Sequence, residues 1–418
     1  MKNILIVTYY FDPYNIVATR RPVSWAKYLS DFYNITVVTR SWTGQENGIK
    51  DVVIENTERS SKKIKENLEV FYLPYVRPKV RKFKPNNWLL KKMYAYYRHF
   101  FGKFSEIEFI KENFESQILE IVRNKKIDLV IYTCNPYLFL NISKRINKIT
   151  QVKYIIDFRD LISEDMLLTK PKFKEILFKR IMLFRLKLFV RRASALITVS
   201  DPINKILSNI FPKNVYTIYN GFDAKQFSEL RSLKENGKRF NITYTGNIYP
   251  QQNFDIFLKG AAIFFEKLNP NAQLQFIGIS HNHKIKIEMF KESIKLNIID
   301  WMPHQQALEF ARQSSVLLFF GWKGFSGIVS GKIFDYIGAQ RTILLAPSDE
   351  DVLEELLIIT GAGVTANTSH EVADILENLY NEWEKTGHTA YKGDINRINE
   401  FTRENQAQKL VTIINSLI

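Results

Sequence analysis

The sequence predicts an α/β protein of two successive doubly wound units, each a parallel sheet wrapped by helices. Three observations carry that expectation. Short continuous apolar runs alternate with helical stretches, which is the pattern of strands buried on both faces. The pattern then restarts in the second half of the chain. And 418 residues suffice for two substantial cores.

In the first half the strand-like runs are N-I-L-I-V-T-Y from Asn3, N-I-T-V-V-T from Asn34, D-L-V-I-Y-T from Asp128, K-Y-I-I-D-F from Lys153 and A-L-I-T-V-S from Ala195. Apolar spacing predicts helices between them over 18–30, 106–123 and 139–149. The second set is F-N-I-T-Y-T-G from Phe240, Q-L-Q-F-I-G from Gln273, N-I-I-D-W from Asn297, V-L-L-F-F from Val316 and T-I-L-L-A-P from Thr342. A linker is expected near Asn220-Gly221-Phe222-Asp223, giving units over 1–221 and 222–399. The stretch 395–418 reads as one long amphipathic helix, of which about 400–418 returns to the first unit.

Composition bounds the function. The chain is 45% hydrophobic and 24% charged, as soluble globular proteins are. Its one cysteine, Cys134, excludes an internal disulfide framework and fits a reducing compartment, and it reads as a small buried hydrophobe. No apolar run approaches the roughly 20 residues that span a bilayer, and the start reads as a strand, so a cytoplasmic location is expected. The net charge of +16 is unevenly held: residues 1–221 carry 39 Lys+Arg against 20 Asp+Glu (+19), and the remainder 20 against 23 (−3). One half therefore faces an anionic surface.

Two basic stretches concentrate that charge. Residues 77–104 hold nine Lys/Arg and no acid, interleaved with aromatic residues; Arg81, Lys82, Trp88, Lys91, Lys92 and Phe100 typify it. Residues 170–192, with Lys179 and Arg180, read as a basic amphipathic helix. Both suit an anionic leaflet, where aromatic rings sit at headgroup level. Nucleic acid is the competing partner, and a solvated basic face over a core helix is the plainer account. The membrane is preferred because two apolar-faced basic helices anchor to lipid better than they read bases.

In a doubly wound sheet ligands bind beyond the carboxyl ends of strands, and the unusual residues fall there. G-F-S-G-I-V-S-G-K-I-F-D, from Gly324, follows V-L-L-F-F and opens a helix. Its glycines let backbone approach a ligand, and the amides at Ser326, Gly327, Ile328 and Val329 suit a diphosphate. Lys332 supplies a cation and Asp335 an acceptor for a ribose diol. A surface turn that merely solvates a helix start is the alternative. Gly246 and Asn247 end the Phe240 run, and W-M-P-H, with Trp301, Pro303 and His304, offers backbone and ring to a base, or else ordinary packing. In the first half Asp157, Arg159 and Asp160 lie at another strand end, as a structural ion-pair cluster or a reactive one. Ala18, Thr19, Arg20 and Arg21 open the first helix, where anionic substrate groups can be met. The histidines lack metal-ligand spacing, so neither metal nor cofactor is expected.

Taken together, Y-F-D-P…A-T-R, D-F-R-D-L, Y-N-G-F-D, T-Y-T-G-N-I-Y and above all S-G-K-I-F-D-Y-I-G-A resemble the family-4 type glycosyltransferases of the GT-B fold, especially bacterial polysaccharide, O-antigen and capsule enzymes. The resemblance covers nearly the whole chain. It implies a nucleotide sugar, a UDP-sugar favoured, held by the second unit and a lipid-linked or glycan acceptor held by the first. It implies retention of stereochemistry and a place on the inner face of the cell membrane. Carried over, Lys332 contacts the donor phosphates, Asp335 the ribose, and Arg159 takes a cleft position where many relatives have histidine. Of the two glutamates separated by seven residues that relatives often carry, the first falls on Gly327 or Gly324 here, and neither glutamate is present. A GT-B-fold nucleotide-sugar epimerase, a DNA-modifying glycosyltransferase and a non-catalytic nucleotide-sugar binding or scaffold protein are the alternatives.

Overall fold

The computed structural model describes every residue except 15, 45–53, 76–86, 89, 91–107, 135–136, 160–172, 231, 234, 236 and 268–270. The described residues divide into two compact units, one drawn from Met1–Leu167, Pro171–Tyr219 and Ala407–Ile418, the other from Asn220–Gln406.

The first unit is built on an eight-stranded sheet: β1 (Asn3–Val7), β2 (Asn34–Arg40), β3 (Ser60–Lys65), β4 (Leu68–Leu73), β5 (Leu129–Cys134), β6 (Lys153–Phe158), β7 (Ala195–Thr198) and β8 (Val215–Thr217), in the order β3-β4-β2-β1-β5-β6-β7-β8. Central strands are apolar on both faces: Ile4, Leu5, Ile6 and Val7 are all inaccessible, as are Leu129, Val130 and Ile131. All pairings are parallel but one. The β3–β4 hairpin is antiparallel. The sequence pattern misses it because S-S-K-K-I-K has no apolar alternation; β3 is exposed throughout and owes its conformation to its pairing with β4. Cys134 ends β5 fully buried, and burial raises its thiol well above the ordinary range, leaving it unreactive.

The second unit carries a six-stranded parallel sheet: β9 (Phe240–Thr245), β10 (Ala272–Ile277), β11 (Leu296–Ile299), β12 (Val316–Phe319), β13 (Thr342–Leu345) and β14 (Gly363–Thr365), ordered β11-β10-β9-β12-β13-β14. The chain runs from β9 outward to β11, then returns to place β12 on the other side of β9. That reversal leaves a crevice beyond the carboxyl ends of β9 and β12. Phe240, Ile242, Leu274, Val316 and Leu344 anchor the core beneath it.

Two helical expectations are corrected. The stretch 395–418 is not one helix: Asp394 caps Ile395–Asn399, and a second helix, Arg403–Leu417, begins after a break at 400–402. From Ala407 the latter belongs to the first unit, where Leu410, Val411 and Ile414 join its core and Tyr33 Oη donates to Asn415 Oδ1 at 2.7 Å. The basic helix, observed as Phe173–Val190, is not amphipathic. Leu186 and Val190 are buried, yet Phe173 (80% exposed), Phe184 (65%) and Leu188 stand in solvent, so apolar residues lie on both sides of it.

A buried ion pair fixes the first helix, Val17–Leu29, to this sheet. Arg21 Nη2 and Nε donate to the two Asp157 oxygens at 2.9 and 3.1 Å, and both side chains are inaccessible. Nη1 donates to Ile218 O at 2.7 Å and Tyr219 O at 3.2 Å, and the guanidinium lies 4.3 Å from the Trp25 ring centroid. Removing one member strands a charge in a low-dielectric interior. Asp157→Ala is expected to cost about 3–5 kcal/mol in denaturant unfolding, and the double replacement Arg21→Met with Asp157→Leu to recover most of it. A single variant as stable as the parent would contradict this role.

Candidate functional site

The crevice of the second unit is built from the ends of its strands. After β9 the chain turns at Gly246, whose φ of +79° is the left-handed region that glycine enters without strain. A Cβ there would meet Lys332 Cε and Nζ at 3.5 Å, so the glycine also makes room for the lysine. Its amide continues the sheet by donating to Ile277 O at 2.7 Å. Asn247 follows: its Oδ1 accepts from Ser280 N beyond β10 at 3.2 Å, and its carbonyl accepts from Tyr244 Oη at 3.0 Å and from Lys332 Nζ at 3.4 Å.

Lys332 comes from the other side of the crevice, on the first turn of the helix Gly331–Ala339, which Ser330 caps by accepting from the Lys332 amide. The ammonium lies 3.9 Å from the Tyr244 ring centroid and 5.9 Å from that of Phe319. Desolvation in this recess pushes the Lys332 pKa down to about 7, against the pull of Asp335. One turn on, Asp335 is buried with its Oδ2 at 2.8 Å from His304 Nε2. The next residue, Tyr336, accepts from Thr245 N at 2.8 Å and so ties the helix to the end of β9.

Most of the residues expected at a nucleotide site therefore belong to this crevice. Gly246, Asn247, Lys332 and Asp335 come together with His304, which the sequence left even between ligand and packing. Trp301 follows β11, stands 71% exposed and borders Gly278, with Pro303 exposed just before the helix His304–Gln313. Ser326, Ile328 and Val329 are half-buried in the loop after β12. The buried Gly327 has an unexpected neighbour: its amide donates to Asp351 Oδ2 at 2.5 Å. A carboxylate thus meets the loop where the sequence has glycine, supplied from 24 residues downstream. Tyr244, Tyr336 and Asp351 escaped sequence reasoning. Tyr336 had a signal in its place beside Asp335; Asp351 had none, since only the tertiary fold brings it near.

In the first unit Asp157 is the partner of Arg21, not of Arg159. Arg159 Nη1 donates to Ala18 O at 2.6 Å, and Arg159 is half-buried at the end of β6. Thr19 is buried with its hydroxyl on Ile16 O, and Arg20 is half-buried. Asp160 lies outside the described residues, as do Arg81, Lys82, Lys91, Lys92, Phe100 and the side chain of Lys179. Trp88 (70% exposed) and Arg180 stand in solvent. Among the described residues no group of three or more His, Cys, Asp or Glu could hold a metal, and no helix is long and apolar enough to cross a membrane.

The two-sheet architecture is shared with solved glycosyltransferases of the GT-B fold. Sucrose-phosphate synthase from Thermosynechococcus elongatus aligns over 100% of this chain and 99% of its own, with a TM-score of 0.63 and 11% identity. HepE of Anabaena, in complex with UDP-glucose, aligns over 100% of both chains with a TM-score of 0.58 and 12% identity. The α,α-trehalose 6-phosphate synthase from Burkholderia multivorans covers 100% and 99%, with a TM-score of 0.63 and 10% identity. No family model matches the sequence, and no curated protein is significantly similar to it. The likeness establishes the GT-B fold.

The lowered lysine pKa has a sign that stability can report. With Lys332 near 7 when folded and about 10.5 when unfolded, the unfolded chain binds more protons between those values. Stability contributed by this site therefore rises with pH through that window. Melting temperatures of the protein and of Lys332→Met, measured from pH 7 to 10, are expected to show the parent gaining on the variant. A constant difference would contradict the lowered pKa of this ammonium.

Proposed function

We propose that the protein is a glycosyltransferase that moves a sugar from a nucleoside diphosphate sugar, a UDP-sugar favoured, to a lipid-linked or glycan acceptor in bacterial cell-surface polysaccharide synthesis such as lipopolysaccharide or capsule. The observation that carries the donor half is the meeting of Lys332, Asn247, Asp335 and His304 at the switch point of the second unit. A diphosphate takes the lysine charge and the backbone amides of Ser326, Ile328 and Val329, the Gly327 amide being held by Asp351, and a ribose takes the Asp335–His304 pair. Trp301 offers a ring to the base. HepE, which shares the fold, has been solved with UDP and with UDP-glucose, in keeping with this assignment.

Catalysis then rests on two terms. Held phosphates leave as a diphosphate whose growing charge Lys332 and the loop amides stabilise. An acceptor hydroxyl is positioned by the first unit, with Arg159 and the opening of the first helix (Ala18, Thr19, Arg20) as the contact groups and Asp160 as a further candidate. Stereochemistry is retained, and no metal takes part.

The acceptor half is supported by charge. An excess of +19 over residues 1–221, with Phe173, Phe184 and Leu188 exposed beside Arg180, suits attachment to the anionic inner face of the membrane. Nucleic acid is the outcome this reading excludes.

UDP is expected to protect the protein against thermal unfolding, and Lys332→Ala to weaken UDP binding about tenfold or more, the worth of one charge-assisted hydrogen bond. Full affinity in that variant, or no protection by any nucleoside diphosphate, would sink the donor site. In a second experiment the protein is expected to float with vesicles rich in anionic lipid and not to retard DNA; retardation without flotation would overturn the membrane assignment.

A further inference from the structure

Along the outer edge of the first unit's sheet runs a trough of about 550 Å³, within the size range of small-molecule sites. It lies between the helix Val17–Leu29 and the overhanging edge strand β3, over a floor of Phe11, Ala26, Leu68 and Tyr72. The strand register orders its lining. Ser60 pairs with Tyr72 near the carboxyl edge of the sheet, Lys62 with Val70 in the middle, and Lys65 with Leu68 at the far end.

That order has a chemical sequence. At the carboxyl edge, the edge where this fold places its chemistry, the trough is lined by Asp12, Asn56 and Glu58, all able to accept from hydroxyl groups. In the middle stands Lys62. Beyond it lie Ile64, Leu68 and Ala26, with Ile64 47% exposed on an edge strand where folding gives it nothing to cover. The other two lysines of the lining are engaged locally: Lys65 Nζ donates to Asp31 Oδ1 and Ser30 Oγ, both at 3.1 Å, and Lys27 Nζ lies 4.7 Å from the Tyr28 ring centroid. Their stems extend the apolar wall.

We propose that this trough holds an amphiphilic phosphate, the lipid-phosphate part of the acceptor. Its hydrocarbon chain lies on Ile64, Leu68 and Ala26, its phosphate at Lys62, and its hydroxyl-bearing head toward Asp12, Asn56 and Glu58. The inference rests on the lipid-linked acceptor reading and gives that acceptor a place. Lysines on an edge strand also discourage pairing with a foreign sheet. Edge protection asks only for charge, so it treats Lys62 and Lys63 alike. A ligand in the trough does not: Lys62 lines it and Lys63 does not, while a bulge between Lys63 and Lys65 brings both Ile64 and Lys65 into the lining.

The test is calorimetric titration of the full chain with dodecyl phosphate below its micelle concentration, with inorganic phosphate and dodecanol as separate arms. Saturable binding of dodecyl phosphate is expected, weakened at least tenfold by Lys62→Glu and by Ile64→Asp and unchanged by Lys63→Glu. Each fragment alone is expected to bind at least tenfold more weakly. No binding, equal effects of Lys62→Glu and Lys63→Glu, or inorganic phosphate binding as tightly as the amphiphile would overturn the proposal. UDP titrated into the same samples separates the two readings: its failure to bind the parent would remove the donor site, whereas its binding alongside failure of dodecyl phosphate would remove the trough's ligand alone.

Discussion

The second unit is organised around one half-buried cation. Lys332 must leave its ammonium between the Tyr244 ring and the Asn247 carbonyl, and the surrounding features answer to that requirement. Gly246 has neither a side chain to fill the space nor a bar to its left-handed turn. Tyr336 pins the helix that carries the lysine to the last residue of β9, and Ser330 caps its start. A lysine so placed is easily discharged, and in the proposed function a bound diphosphate restores its charge. The low-dielectric recess that disfavours the lone ammonium also strengthens its attraction to an anionic ligand.

Cations in the first unit serve other ends. Arg21 is wholly committed, with both Asp157 oxygens and two carbonyls taken up by its guanidinium. Arg40 is equally buried at the end of β2, its Nη1 donating to Tyr9 Oη at 2.8 Å and its Cζ lying 4.0 Å from the Trp42 ring centroid. These hold the described residues at the carboxyl edge of β1, β2 and β6. Arg159 is half-buried, with its Nη1 donating to Ala18 O, and Arg20 beside it on the first helix is half-buried too. Buried pairs fix the frame, and the proposed acceptor contacts fall to the half-buried cations.

Ten strands were legible from sequence because a strand buried on both faces writes itself as an unbroken apolar run. Lys332 and Asp335 were legible because residues three apart on a helix share a face, and the glycines before them mark a close approach of backbone. What was not legible came from distance in sequence. Nothing near Asp157 announces Arg21, 136 residues away, and nothing near Gly327 announces Asp351. His304 could be placed at a strand end but not against Asp335. The β3–β4 hairpin stayed hidden since its outer strand is exposed throughout, and the 395–418 helix was read as continuous since apolar spacing does not register a break of three residues.

The central claim is that a lysine near neutrality waits for a diphosphate, and proton uptake on binding measures it directly. UDP is titrated near pH 8 in buffers of different ionisation heat, with the protein and with Lys332→Met. The account predicts that the protein takes up a substantial fraction of one proton per UDP bound and that the variant takes up none. Binding of UDP with no proton linkage in either protein would contradict it.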